Sequence, residues 1–512
     1  MPSETTSPRR SVQAVRTRRA FLAAAAAPAI LRAQAARRPN ILFAVADDQS
    51  WPHTGAAGDK LIRTPAFDEV AGRGVHFNTA ISGSPGCAPS RACILTGRHH
   101  WQLEEAGTHA SFFPKKFQVF PELLAAAGYH AGVTGKGAGP CNWRDAGWKS
   151  NPAGTEYSSV EAPAPAGISK TDYAANFEAF LAGKAKEQPF CFWYGGHEPH
   201  RGYGRGLWKA SGWRIEDVKV PSFLPDTPEI RADILDYYFE IEHFDRHLGR
   251  MLRTLERRGE LANTLVVVTA DNGMSFPASK ATLYEYGIHL PLAVCWADRM
   301  KGGRTLGEVV GFSSFAPTFL EAAGVAVPEA MNGRSLLPLL DGRRAEQTDA
   351  FALSGRERHS HARFDNLGYP TRALRTRDYL YIRNFKPDRW PAGDPEIFAD
   401  IDAGPSKDFV VNNRERAEGR RYFDLACGKH GPEQLYDIHK DPGCTNDLSA
   451  SAAHADTRKR LRAQLEGELT RWKDPRMLGT GDAFDSYPRF SPMRPALGGF
   501  AEQGAYNPKY KR

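Results

Sequence analysis

No stretch of this chain supplies the roughly 20 consecutive apolar residues that a helical membrane span requires. The apolar run over 20–31, interrupted by Pro28, is far shorter, so no stable membrane span is expected. Cysteine is sparse, seven in 512 residues, and none stands in a C-x-x-C spacing, which argues against a thiolate zinc site. Internal repeats, coiled-coil heptads and long low-complexity segments are missing too, which excludes solenoid and fibrous architectures. Nor is one charge in large excess. The chain carries a formal +8, but residues 1–35 hold six Arg and one Glu, and removing their +5 leaves about +3. That gives no argument for nucleic acid as a partner. What is there is an ordinary soluble composition, 41% hydrophobic and 25% charged, long enough for two domains and a large core.

Thr17-Arg18-Arg19-Ala20-Phe21-Leu22, the short apolar run behind it and the small-x-small triplet Ala33-Gln34-Ala35 read as a twin-arginine signal cleaved after Ala35. The expectation is a periplasmic or secreted protein exported by the Tat machinery. An oxidising compartment permits disulfides. Cys427 and Cys444 are the nearest pair late in the chain, and spacing does not settle whether they join.

The chemistry centres on the stretch from Cys87 to Gly97. Gly83, Pro85, Gly86 and Pro89 keep its approach irregular, which places Cys87 in a turn, with a helix starting near Ser90. A thiol at a helix N-terminus, with Arg91 as a fixed cation one turn on, is set up for activation and for anion binding. Cys93, beside Ile94 and Leu95, reads as an inert core cysteine. Asn40–Ala46 and Thr264–Ala270 are unbroken apolar runs, as in parallel strands buried on both faces. Each ends in oxygen donors, Asp47-Asp48 after the first and Asp271-Asn272-Gly273 after the second. Adjacent like charges are costly without a cation, and four oxygen donors suit a hard one. A third buried strand over 190–194 leads to His197-Glu198-Pro199-His200-Arg201. A helix over 117–128 and a strand over 129–134 lead to Gly135-Lys136-Gly137-Ala138.

Cys87-x-Pro89-Ser90-Arg91-x-x-x-Leu95-Thr96-Gly97 resembles the signature of the type I, formylglycine-dependent sulfatases, with all seven fixed positions of the eleven present. The resemblance implies that Cys87 is a precursor. A partner, a formylglycine-generating or anaerobic maturation enzyme, would oxidise it to formylglycine. One hydroxyl of the hydrated aldehyde would attack sulfur, and the other would later expel sulfate. The resemblance further implies calcium (Ca2+) on Asp47, Asp48, Asp271 and Asn272, with Arg91 helping to hold the nucleophile ionised. Lys136, His197 and Lys280, nine residues after Asp271, would bind the sulfuryl oxygens. His197 would also protonate the leaving group, Asp271 would accept the nucleophile's proton, and His200 would support or touch the substrate. Two residues after the lysine the family has a histidine that deprotonates the second hydroxyl; Ala138 stands there instead. His99, His100 and His109 are the unplaced candidates for that role.

Farther on, 230–259 and 455–472 read as amphipathic helices, 318–323 as a helix opened by Pro317, and 371–377 with 379–385 as a hairpin. Leu435-Tyr436-Asp437 with Asp441-Pro442 and Asp447-Leu448 resembles the sulfatase C-terminal subdomain, Asp447 replacing the usual Asn. Residues 478–512 are Gly/Pro-rich and read as a surface wrap or a partly disordered tail. The likeness spans about 39–472 and is nearest to the heparan N-sulfatases (sulfamidases). Asp271-Asn272-Gly273 with Phe276-Pro277 and Lys280 carries it, together with His197 to Arg201. The implied fold is alkaline-phosphatase-like α/β, a mostly parallel central sheet flanked by helices, with a smaller antiparallel α+β subdomain. The implied domains are 1–35 (signal), 36–370 (catalytic) and 371–512 (C-terminal). The implied substrate is a sulfated carbohydrate, foremost N-sulfoglucosamine of heparan-type glycans. Arg356, His359 and Arg372, with His361 nearby, are expected at the pocket mouth on the sugar. The alternatives are an O-sulfatase on another glycan, a phosphonate or phosphoester hydrolase of the superfamily, and a non-catalytic sulfoglycan-binding protein.

Overall fold

The apolar runs on either side of the paired carboxylates form the centre of an eight-stranded sheet. Its strands are β1 (Asn40–Ala46), β2 (Val75–Ile81), β3 (His130–Gly135), β4 (Thr155–Glu156), β5 (Phe190–Gly195), β6 (Thr264–Ala270), β7 (His289–Cys295) and β8 (Arg304–Gly311), in the order β4-β3-β5-β1-β6-β7-β2-β8. Neighbours pair in parallel except β7, which is antiparallel to both β6 and β2. The computed structural model describes residues 37–343, 350–360, 362–363, 367–395 and 397–489. The expected signal over 1–35, His361 and the tail beyond 489 lie outside the described residues.

The helices that matter here are α1 (Pro65–Arg73), α2 (Cys87–Thr96), α3 (Phe120–Ala126), α4 (Tyr173–Ala182) and α5 (Pro228–Arg257). The two-residue alternation of β5 sorts them onto opposite faces. Trp193 packs on Phe43 and Phe120, on the side of α2, α3 and the helix Phe315–Ala322. Phe192 and Tyr194 pack on Phe177 and Phe244, in α4 and α5. The helix Phe315–Ala322 opens two residues before Pro317, which falls in the first turn, where a missing N–H breaks no bond. β1 lies between β5 and β6, with Val45 beside Gly195 and Ala46 beside Ala270. The carboxyl ends of three parallel strands therefore converge, the usual place for a site in such sheets.

A second sheet, order β12-β11-β10-β9, is wholly antiparallel: β9 (Ala352–Arg356), β10 (Thr371–Arg375), β11 (Tyr379–Asn384) and β12 (Glu433–Asp437). It opens at Ala352, ahead of the alternating pattern that starts at Thr371. The helix Ala455–Arg471 covers it through Leu461, Leu465 and Leu469. The described part of the expected surface wrap lies along the surface, with Leu478 57% exposed, and is anchored by the buried Phe484 and by Ser111 Oγ and Arg358 Nη2, which donate to the Pro488 carbonyl. Cys427 and Cys444 are both free thiols. No described helix is long and apolar enough to cross a membrane.

Candidate active site

After β1 the chain turns at Asp48, whose φ of +73° lies in the left-handed region, a conformation side chains rarely adopt outside functional turns. The N–H groups of Asp48 and Asn272 both donate to Asp271 Oδ1, at 3.1 and 2.8 Å. Asn272 Nδ2 donates to Asp48 Oδ1 at 2.7 Å. Gly273 is needed next: a Cβ there would stand 1.7 Å from the Tyr286 carbonyl oxygen. The result is a buried group in which Asp47, Asp48, Asp271 and the Cys87 thiol offer ligand atoms all within 4.8 Å of one another. Asn272 Oδ1 is buried there with no hydrogen-bond partner among the described residues. Burial and then Asp47 raise the Asp271 carboxyl to about 6. Burial also pushes Asp47 up, but Lys136, His200 and Arg91 overcome it and hold that carboxyl well below its usual range. Three crowded carboxylates and an orphaned amide oxygen fit a hard divalent cation.

The helix α2 begins at Cys87 itself, not near Ser90. Pro89 sits in its first turn, where no N–H is required. Cys87 is 1% exposed, its Sγ 3.4 Å from Asp47 Oδ1 and 3.8 Å from Asp48 Oδ1. Burial and then Asp47 push the thiol well above its usual value. Burial and the carboxylates outweigh the nearby lysines, so the position at the helix N-terminus does not leave the thiol with a lowered value. Arg91 is the fixed cation that its position promised. Nε donates to Asp271 Oδ2 at 2.7 Å, Nη1 to the Lys136 and Gly137 carbonyls, and Nη2 lies 3.9 Å from Asp47 Oδ1. Ser90 Oγ donates to the Asp271 carbonyl at 2.5 Å.

Two lysines complete the cationic wall. Lys136, after β3, places Nζ 2.5 Å from Asp47 Oδ2. Lys280 places Nζ 2.6 Å from Asp48 Oδ2 and 3.1 Å from Asp402 Oδ2. Burial works against both ammonium groups, but Asp47 for Lys136, and Asp402 then Asp48 for Lys280, raise them above their usual values. His197 and His200, after β5, line a cleft of about 780 Å³ with Asp47, Lys136 and Glu198. His197 opens to the cleft surface, yet the neighbouring groups partly desolvate its imidazole and, with Lys136 next, lower it to about 4. Its backbone N–H donates to Tyr173 Oη at 3.0 Å, and that hydroxyl donates to Glu198 Oε2 at 2.9 Å. His200 is 38% exposed; Nδ1 lies 2.6 Å from the Arg201 carbonyl and Nε2 lies 3.9 Å from Asp48 Oδ2.

The residues expected on the sugar are placed differently. Arg372 is buried, Nε donating to Asp474 Oδ2 at 2.6 Å and Nη2 to Glu357 Oε1 at 2.8 Å. Arg356 is spent on the Asp400 carboxylate and the Ala281 carbonyl. Both guanidinium groups join the second sheet to its surroundings. His359 does approach the centre: a Cβ on Gly86, next to Cys87, would stand 2.8 Å from its Nδ1. Its ring lies 4.7 Å from that of His109, tilted by 40°, and burial, then His359 and Arg489, with Lys280 and Lys136 behind them, hold the His109 imidazole well below its usual value. His99 stacks on Trp101 and His100 lies against Arg372. Ala138 is buried, its N–H on Asn151 Oδ1 at 3.2 Å. The sequence reading missed Asp402, Tyr173 and the Glu198 carboxylate. Only Glu198 had a signal, its place inside the His197–His200 motif.

The sulfatase family model matches residues 39–325, and the model described as N-sulphoglucosamine sulphohydrolase, C-terminal, matches 278–393. Human N-sulphoglucosamine sulphohydrolase is 28% identical over 468 residues, covering 84% of this chain and 89% of that protein. The N-acetylglucosamine-6-O-sulfatase of Bacteroides thetaiotaomicron is 25% identical, covering 86% and 87%. A structure solved in complex with its substrate D-glucosamine-2-N,6-O-disulfate shares the fold, with a TM-score of 0.62 at 22% identity over 85% of this chain and 98% of that one. With the first family model covering more than half its length, and the signature stretch on α2 facing three strand-end carboxylates, the chain belongs to the sulfatase family, hydrolases of sulfuric esters.

Proposed function

We propose that this enzyme removes the N-sulfate from glucosamine at the non-reducing end of heparan-type glycans, using a formylglycine made from Cys87 and a calcium ion. The observation that carries the chemistry is the buried cluster in which Cys87 meets Asp47, Asp48 and Asp271. The match of 278–393 to the sulphoglucosamine sulphohydrolase C-terminal region supports the choice of substrate.

Formylglycine would supply the hydrated aldehyde oxygen that attacks sulfur, and calcium on Asp47, Asp48, Asp271 and Asn272 would supply positive charge beside it. The chain's own groups do the rest. Arg91 fixes Asp271 and adds a cation that does not titrate. Lys136 and Lys280 bind the sulfuryl oxygens, where charge builds in the transition state. Asp271, held by Arg91, takes the nucleophile's proton. His197 starts neutral, and the sulfuryl anion beside it favours its protonated form. It hands that proton to the departing nitrogen, which must leave as an amine. His200 and His359 border the bound substrate. The signal over 1–35 supports export by the Tat machinery to the periplasm, and the maturation enzyme is the partner that the Cys87 motif requires.

A glucosamine 6-O-sulfatase is the second reading, favoured by the likeness to the Bacteroides enzyme. The proposal is tested by producing the protein with and without a maturation enzyme. Peptide mass spectrometry reads residue 87, and an assay reads sulfate release from N-sulfoglucosamine. Activity should track the aldehyde form; activity in protein whose Cys87 is wholly unmodified contradicts it.

A further inference from the structure

Asp402 lies between β11 and the helix Pro405–Asn412, in none of the motifs that carry the site. Its Oδ2 nevertheless stands 3.1 Å from Lys280 Nζ and accepts from Ser275 Oγ at 2.5 Å. The carboxylate also groups with Asp48 and His200, ligand atoms within 4.8 Å of one another. Lys280 is therefore a buried cation held between two carboxylates, Asp48 and Asp402. They are not equivalent. Asp48 belongs to the set that fits a divalent cation, and charge spent on that cation is not available to the lysine. Asp402 is then the counter-ion that Lys280 keeps. A buried ammonium without a counter-ion is costly, and it holds any anion that reaches it more tightly.

We propose that Asp402 is a positioning residue: it fixes Lys280 toward the sulfuryl oxygens and offsets its charge, so that the pocket grips the transition state without retaining inorganic sulfate. This rests on the sulfuryl-binding reading given above. Arg91 and Lys136 bring positive charge to the same centre, paired with Asp271 and Asp47, and an uncompensated Lys280 beside them would favour the sulfate product as much as the reacting group, which slows release without helping chemistry.

The test is sulfate binding to the matured, calcium-loaded enzyme by titration calorimetry, with product inhibition by sulfate measured beside it. Asp402→Asn keeps the shape and an acceptor for Lys280 and Ser275 but removes the charge. Its sulfate Kd should fall about tenfold, as the loss of one nearby negative charge predicts. The inhibition constant for sulfate should fall in step, and Asp402→Glu should return both toward the wild-type values. Asp402→Ser makes the same charge change by a different side chain and serves if the Asn variant does not fold. Unchanged sulfate affinity in both neutral variants overturns the proposal. So does a raised KM for N-sulfoglucosamine at unchanged sulfate affinity, because Asp402 would then be reading the sugar. Wild-type enzyme that binds no sulfate would instead bring down the sulfuryl-site reading itself.

Discussion

His197 decides what kind of leaving group the site can handle. With its imidazole at about 4 in the free enzyme, a required acid is lost as pH rises, so kcat/KM for an amine-leaving substrate should decline above about pH 4. An activated aryl sulfate needs no such proton and should lack that limb. His197→Ala should cost N-sulfoglucosamine turnover about 10²- to 10⁴-fold and the aryl sulfate far less; pH–rate profiles with both substrates check this, and identical profiles contradict it. Arg372 makes the opposite case. Its charge is committed to Glu357 and Asp474, and truncating one partner of a buried pair costs about 3–5 kcal/mol. Arg372→Met should lose that much in urea unfolding yet keep its kcat/KM once folded, whereas a raised KM at unchanged stability would restore the sugar-binding role. Single residues were legible where a motif fixes their place, as with Asp47, Arg91, Lys136 and Lys280. The partners of Arg356 and Arg372, Asp400 and Asp474, were not legible, because a basic run on a strand looks the same whether it meets solvent or carboxylates from distant segments.

Among the elements, β1 and β6 were readable to the residue, since each is a largely apolar run that stops sharply at an acidic residue, Asp47 or Asp271. β9 was not, because Ala352–Arg356 is short and mixes Ser, Gly and Arg; only its pairing with β10 makes it a strand. The start of α2 was also misplaced, since Pro89 reads as a breaker although it is harmless in a first turn. The contact between the two sheets has a pH signature of its own. Glu285, in the short helix before β7, accepts two bonds from Arg375 of β10, at 2.8 and 2.6 Å, and lies 2.8 Å from His289. Burial pushes its carboxyl up, but Arg375 and His289 overcome it and lower it to about 2 from the usual 4.5. A depressed carboxyl stabilises the fold at pH above its unfolded value, and that stability is lost as pH falls from about 4.5 toward 2. Urea midpoints should drop over that window, and Arg375→Met should flatten the dependence; an equally steep drop in the variant would place its origin elsewhere.

For the whole molecule, the fold class was legible through the Cys87 signature, whose resemblance to the sulfatases implied a mostly parallel central sheet with a smaller antiparallel subdomain. What no local pattern carries is the way 352–489 packs back on the catalytic sheet, delivering Asp402 to Lys280 and Arg489 to the carbonyls of His109 and His359. The cation proposed for the strand ends should hold that assembly too. Chelation should abolish activity and lower Tm, and calcium should restore both better than zinc, because the donors are oxygen. Full activity after exhaustive chelation, verified by elemental analysis, contradicts the site. The account's central claim is a sulfamate-cleaving centre built around Cys87. Its most direct test is kcat/KM of the matured enzyme on N-sulfoglucosamine, glucosamine 6-O-sulfate and an aryl sulfate, measured side by side. N-sulfoglucosamine should be preferred over both, and a clear preference for the 6-O-sulfate would contradict the claim.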